Sequence, residues 1–189
     1  VEAFNRVDIW INNAGISSAR SDFQTQSPEV FSSVVNINIV GTMNGCSVAI
    51  TRMQEQGFGT IYNMEGLGSD GRQVTGVIPY GTTKCAIAYF TKGLVKELNG
   101  TAINICTISP GMVVTDLLTG DYDTDSEEWA SAKRIFNILA DRVETVTPWL
   151  ADRILTCKKH GTRIAWLTTG KVIRRFLSSI FAKRDVFEI

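Results

Sequence analysis

A chain of 189 residues with 44% hydrophobic and 20% charged side chains has room for one domain with a fair core, which excludes disordered and fibrous classes. Sixteen Gly against only four Pro exclude collagen and low-complexity chains. Nineteen Lys and Arg balance nineteen Asp and Glu, so binding a polyanion is not the business of the whole chain, and no nucleic acid is expected as a partner.

In chain order, Val7-Asp8-Ile9-Trp10-Ile11 is a short apolar run stopped by Asn12-Asn13-Ala14-Gly15, the pattern of a buried parallel strand and a tight turn. Ser27-Pro28-Glu29 opens a segment with Val30, Val34, Ile37 and Val48 at helical spacing, which predicts a long helix to about Met53, stopped by Gly57 and Gly59. Thr60 to Met64 reads as the next strand. A Gly-rich loop follows, and Tyr80 to Leu98 returns to helical periodicity. Ile103 to Ile108 is a third strand, closed by Pro110-Gly111. Strands alternating with helices of this length predict right-handed βαβ crossovers, hence an α/β fold with a doubly wound parallel sheet. Beyond Ser126 the strand signals fade, and 129–140, 143–157 and 161–181 read as helices; the last belongs to a basic amphipathic C-terminal segment, 161–184. No repeat and no second boundary is visible, so 1–189 reads as a single domain. Three strands are few for such a sheet and the first residue is Val1, so the expectation is the C-terminal portion of a larger fold, its first strand-helix units and any targeting segment lying upstream.

Charge is unevenly placed. Asp116, Asp121, Asp123, Asp125, Glu127 and Glu128 form an acidic stretch without a base, whereas Lys158 to Arg184 holds eight bases and no acid. Cys46, Cys85, Cys106 and Cys157 are scattered, without a C-x-x-C pair or a neighbouring histidine, so they read as reduced thiols and no metal site is expected. No run of eighteen apolar residues is present to span a membrane.

Gly66-Leu67-Gly68-Ser69-Asp70-Gly71 matches G-x-G-x-x-G after a strand, yet residues 72–79 read as loop where a dinucleotide fingerprint requires a helix. The segment is therefore read as a flexible active-site loop. Tyr80 and Lys84, in Tyr80-Gly81-Thr82-Thr83-Lys84, stand at i and i+4 and project from one helix face. A phenol is a poor acid near neutrality; a lysine cation one turn away stabilises the phenolate and makes Tyr80 a usable proton donor. Taken alone, Y-x-x-x-K is a solvated helix face more often than a site.

It is accompanied by Asn12-Asn13-Ala14-Gly15, by Asn38 with Gly41 as Asn-x-x-Gly, by Ser69, and by Ser109-Pro110-Gly111 with Thr115. In this succession the set resembles the short-chain dehydrogenase/reductase family. The resemblance implies a Rossmann-type sheet, a nicotinamide cofactor and hydride transfer at a carbonyl. It further implies Tyr80 as proton donor, Lys84 on the ribose hydroxyls, Asn38 anchoring a relay water, and Ser69 on the substrate oxygen. Asn13, Ala14 and Gly15 would border the cofactor ribose, and Pro110, Gly111, Val113 and Thr115 the nicotinamide carboxamide. One departure stands out: the family's Asn-x-Ser-Ser run reads Asn63-Met64-Glu65-Gly66, and Leu67 occupies the spacing usual for its serine, so Ser69 is the nearest hydroxyl.

Within the family, residues 63–71, 80–85, 109–118, 135–139 and 144–146 are similar to chlorophyll(ide) b reductases of chloroplasts. That resemblance implies NADPH-dependent reduction of the C7 formyl group of chlorophyll b or chlorophyllide b to hydroxymethyl, at the thylakoid, by a homo- or hetero-oligomer. The choice of NADPH over NADH is not written in these residues. The rival readings are a reductase of another hydrophobic ketone or aldehyde, and a non-catalytic scaffold. The basic tail helix is compatible with peripheral contact to anionic lipid, and equally with simple docking on the domain.

Overall fold

The computed structural model describes residues 4–120, 122–181 and 184–187; Asp121 and Lys183 lie outside them. The elements follow as β1 (Ile9–Asn12), α1 (Pro28–Val35), a π-helical turn (Asn36–Val40), α2 (Gly41–Gln56), β2 (Gly59–Met64), α3 (Ile78–Glu97) and β3 (Ile103–Ser109). Then come β4 (Val113–Val114), α4 (Asp116–Thr119), α5 (Glu127–Leu139), β5 (Asp141–Arg142), α6 (Val143–Thr156), β6 (Arg163–Ala165) and α7 (Thr169–Ser178). The chain falls into two compact units, Val1–Ile108 with Cys157–Arg163, and Ser109–Thr156 with Ile164–Ile189.

The main sheet has the order β1-β2-β3-β6. β1 runs parallel to β2, with Ile9 opposite Thr60 and Asn12 opposite Asn63, and β2 parallel to β3, with Ile61 opposite Ile105. This is the predicted Rossmann-type arrangement. In the first unit the core is made by Ile61, Ile103 and Ile105 of the sheet with Cys46, Ala49 and Met53, which recur at helical spacing on one face of α2. The run Pro28–Gln56 is, by length and composition alone, apolar enough to cross a membrane (29 residues, mean hydropathy 1.3), although the sequence holds no uninterrupted apolar stretch of that length. One side of it is packed in the first unit, through Val34, Asn38, Thr42, Cys46, Ala49 and Met53.

The predicted third helix at 161–181 needs correcting, because its first part is strand. The free edge of β3 captures this segment: Gly161 donates its N–H to Ile105 O (2.9 Å) and Thr107 donates to Thr162 O (3.0 Å). His160, the single histidine, fixes the return, one ring nitrogen contacting Val95 O (2.8 Å) and the other accepting from Ile105 N–H (3.3 Å). The basic amphipathic helix expected over 161–184 is thus α7 alone, begun where the Thr168 hydroxyl accepts from Lys171 N–H.

The second unit contains a two-stranded parallel ladder, Val113 opposite Asp141, that no periodicity announces. Ser126 caps α5 by accepting from Trp129 N–H, with Glu127 and Glu128 in its first turn, so part of the acidic stretch offsets a helix dipole. Its core gathers Phe136, Ala140 and Val186 with Tyr122, Trp129 and Phe187.

Candidate active site

Asn12, the last residue of β1, seeds a buried polar network. Its amide donates to Asn63 Oδ1 on β2 (2.8 Å) and accepts from Trp10 Nε1 (2.8 Å), while Asn63 donates to Thr91 Oγ1 on α3 (2.9 Å). Buried amides paired in this way lock strand ends against a helix, since an unmatched polar group there would cost about 1–3 kcal/mol. The turn Asn13–Gly15 is held next to this network.

Asn38 lies in the π-helical turn, where Gly41 N–H bonds to Asn36 O, five residues back. One extra residue in a helical turn rotates the following side chains, and turns of this kind recur at functional sites. The fully buried Asn38 amide accepts from Ile16 N–H (2.9 Å) and donates to Ile16 O (2.9 Å) and Thr83 Oγ1 (2.9 Å). It therefore ties the loop after β1 to the start of α3. Gly15 is in the same cluster: a Cβ there would stand 3.2 Å from Asn38 Oδ1 and 3.6 Å from Lys84 Nζ.

Tyr80 and Lys84 project from the first turns of α3, with Pro79 at its N-terminus fixing the helical start. Lys84 is buried, its Nζ 5.7 Å from the centre of the Tyr80 ring and donating to Met64 O at 3.3 Å. Burial raises the Tyr80 phenol above its ordinary value and lowers the Lys84 ammonium below its own. The expected depression of Tyr80 by Lys84 is thus not present here. The cation lies over the ring and is turned to a carbonyl, so desolvation decides the balance.

Gly66 completes the floor. A Cβ at this position would overlap Tyr80 Oη and stand 3.0 and 3.1 Å from Lys84 Cε and Cγ, so only glycine leaves the phenol room. Gly66 is the last residue of the run that replaces Asn-x-Ser-Ser, and it faces the tyrosine. Ser69 Oγ accepts from Gly66 N–H (3.0 Å) and is 3.3 Å from Lys84 O, to which it donates. Its proton is engaged by the backbone of α3, and reaching a substrate oxygen requires giving up that longer bond. The loop glycines bring backbone against helix: Gly68, at φ +100°, passes so close to Gly81 that no side chain fits between them. Glu65 is bound by Arg163, whose Nε lies 2.8 and 3.0 Å from the two carboxylate oxygens.

A small cleft of about 240 Å³ opens at the end of β1, lined by Asn13, Ala14, Ile37 and Thr42 among others. A larger groove of about 750 Å³ follows the other face of α3, past Thr82, Cys85, Tyr89 and Leu94; neither Tyr80 nor Lys84 lines it. Pro110, Gly111, Val113 and Thr115 belong to the second unit. There Gly111 packs on Leu167, Val113 is in β4, and Thr115 precedes α4 with its hydroxyl 3.3 Å from Val113 O.

Tyr80, Lys84, Asn38 and the Asn13–Gly15 turn therefore converge in one unit. A family model for short chain dehydrogenases matches residues 1–126. The chain belongs to the short-chain dehydrogenase family. It is 36% identical over 92% of its length to the chloroplastic chlorophyll(ide) b reductase NOL of Oryza sativa subsp. japonica, covering 52% of that protein. It is 34% identical over 88% of its length to the probable chlorophyll(ide) b reductase NYC1 of the same plant, covering 32%. The chain thus spans about a third to a half of these relatives. Among solved structures, ElxO with NADP bound superposes with a TM-score of 0.73 at 26% identity, over 92% of this chain and 70% of that one.

Two parts of this candidate site are not legible in the sequence. Thr83, the partner of Asn38, carried no signal beyond its place beside Lys84. Gly66 escapes a count back from Tyr80, which lands on Leu67. The Asn-x-Ser-Ser register, counted forward from Asn63, is the signal that finds it.

Proposed function

We propose that this chain carries the catalytic residues of an NADPH-dependent chlorophyll(ide) b reductase of the chloroplast, which converts the C7 formyl group to hydroxymethyl. The reaction class rests on the Tyr80 phenol held over Gly66 beside the buried Lys84 ammonium. The substrate rests on similarity to two kinds of chlorophyll(ide) b reductase along nearly the whole chain.

The residues fit a nicotinamide nucleotide. The Lys84 ammonium makes one hydrogen bond among the described residues, so two of its N–H donors remain for the hydroxyls of a ribose; Gly15 lies beside it, and Asn13 and Ala14, next in the turn, line the cleft at the end of β1. When bound, the cofactor supplies a hydride to the formyl carbon. Tyr80 Oη delivers its proton to the formyl oxygen, and the Lys84 cation stabilises the phenolate left behind. A phenol raised by burial is fully protonated at neutral pH, the state a donor in the reducing direction needs. Asn38 holds Ile16 and Thr83 in place and is proposed to anchor the water that reprotonates Tyr80. Ser69 supports Gly66 from below and is proposed to turn its hydroxyl to the substrate oxygen. Pro110, Gly111, Val113 and Thr115 are proposed to hold the carboxamide.

The test is NADPH oxidation with chlorophyllide b beside a panel of other hydrophobic aldehydes and ketones. Tyr80→Phe is expected to cut turnover by about two to four orders of magnitude while cofactor binding persists. Near-normal turnover of that variant would reject the proton donor, and faster reduction of another carbonyl would reject the substrate.

A further inference from the structure

α7 is placed in the second unit with Lys171, Val172 and Arg175 turned inward and most of its apolar side outward. Around its axis Val172, Ile173, Phe176, Leu177 and Ile180 share one side, and Lys171, Arg174, Arg175 and Ser178 the other. A helix of a water-soluble domain ordinarily buries the first set. Here the anchor is Arg175, with a side chain only 14% exposed: its guanidinium lies 2.7 and 2.9 Å from the two oxygens of the buried Asp141 and 2.8 Å from Leu139 O. Trp166 Nε1 donates to the same carboxylate (2.6 Å), as does Arg184 (3.0 Å), and Lys171 sits 3.1 Å above the Trp166 ring. Ile173, Leu177, Ile180 and Phe181 are meanwhile 56, 61, 73 and 90% exposed. An apolar face of this size on the outside of a domain marks an interaction surface.

The surrounding charge says what covers it. Three cations, Lys171, Arg175 and Arg184, stand around the carboxylate of Asp141, and Arg174 adds a fourth positive charge beside Lys171. The three arginines are near enough to Lys171 to help burial lower its ammonium. Arg174 is exposed and makes no ion pair among the described residues. A second copy meeting this face about a two-fold axis would bring cationic rim onto cationic rim. An anionic lipid surface neutralises the rim and accepts the apolar side chains. Ten residues of helix reach about 15 Å, half the roughly 30 Å of a bilayer core, so the segment lies in the surface and does not cross it.

We propose that α7 and the turn after it form an interfacial docking helix for anionic membranes, with Ile173, Leu177, Ile180 and Phe181 entering the headgroup boundary and Arg174 meeting lipid phosphates. The proposal is independent of the reaction assigned above, because it concerns residues outside Tyr80, Lys84 and their neighbours.

Flotation of the protein with phosphatidylcholine vesicles, with and without phosphatidylglycerol, tests it. Binding is expected on the anionic vesicles only, falling as added salt screens the rim. The double variant I180D/F181D is expected to weaken partition by at least about tenfold with an unchanged melting temperature, since both side chains are in solvent. Arg174→Glu should weaken it too. Absence of flotation, equal flotation on neutral vesicles, or indifference to Arg174→Glu would each overturn the proposal. Concentration-dependent dimerisation lost in I180D/F181D, without vesicle binding, would overturn it in favour of a second copy.

Discussion

At Gly66 a residue type is set by what stands over it. The Tyr80 phenol and the Lys84 stem occupy the volume into which any Cβ would grow, so the position tolerates hydrogen alone. Gly66→Ala is expected to displace Tyr80 by a fraction of an ångström to an ångström and to lower turnover at least about tenfold, since misplacement of that order is costly to a proton transfer. Steady-state kinetics check this, with KM for NADPH as the internal control; unchanged kcat would show that the phenol has slack. The motifs single out side chains and say nothing of their surroundings. Tyr80, Lys84 and Asn38 are found by motif. The direction of the Tyr80 shift is not, because burial of the phenol sets it, and the Lys84 ammonium bonds to Met64 O, twenty residues earlier in the chain.

Among the elements, the π-helical turn decides where Asn38 points. Its three hydrogen bonds join segments distant in sequence, and Asn38→Ala would leave the part-buried Ile16 N–H and carbonyl without these partners, while the Thr83 hydroxyl keeps its bond to Tyr80 O. The expected loss is about 1–3 kcal/mol for each group left unsatisfied, so a lowered urea midpoint should accompany any loss of activity. Equal stability of variant and parent would place the strain elsewhere. The helices of the first unit were legible because long amphipathic repeats average over many residues. β4, β5 and β6 have two, two and three residues, too few for any period, and each is fixed by the partner it finds. α7 was legible as amphipathic. Which of its faces turns inward was not, because Asp141, the anchor, comes thirty-four residues before Arg175.

For the molecule as a whole, the parallel sense of β1, β2 and β3 follows from alternation of strands and helices, whereas the place of β6 in the sheet and the division into two compact units left no mark in the sequence pattern. The late closure of β3 matters during synthesis. Its outer edge is covered by the segment carrying His160, Gly161 and Thr162, and the Ile105 N–H meets His160 Nδ1 55 residues downstream. At about 5–20 residues per second a ribosome takes several seconds to make that interval, during which an apolar strand edge has been translated without its cover. A chain ending at Thr156 is therefore expected to aggregate, and adding a peptide of residues 157–189 in trans should recover soluble protein, as sedimentation of the two preparations would show. Timing on the ribosome, rather than final stability, makes this edge a natural client for a chaperone that holds nascent chains.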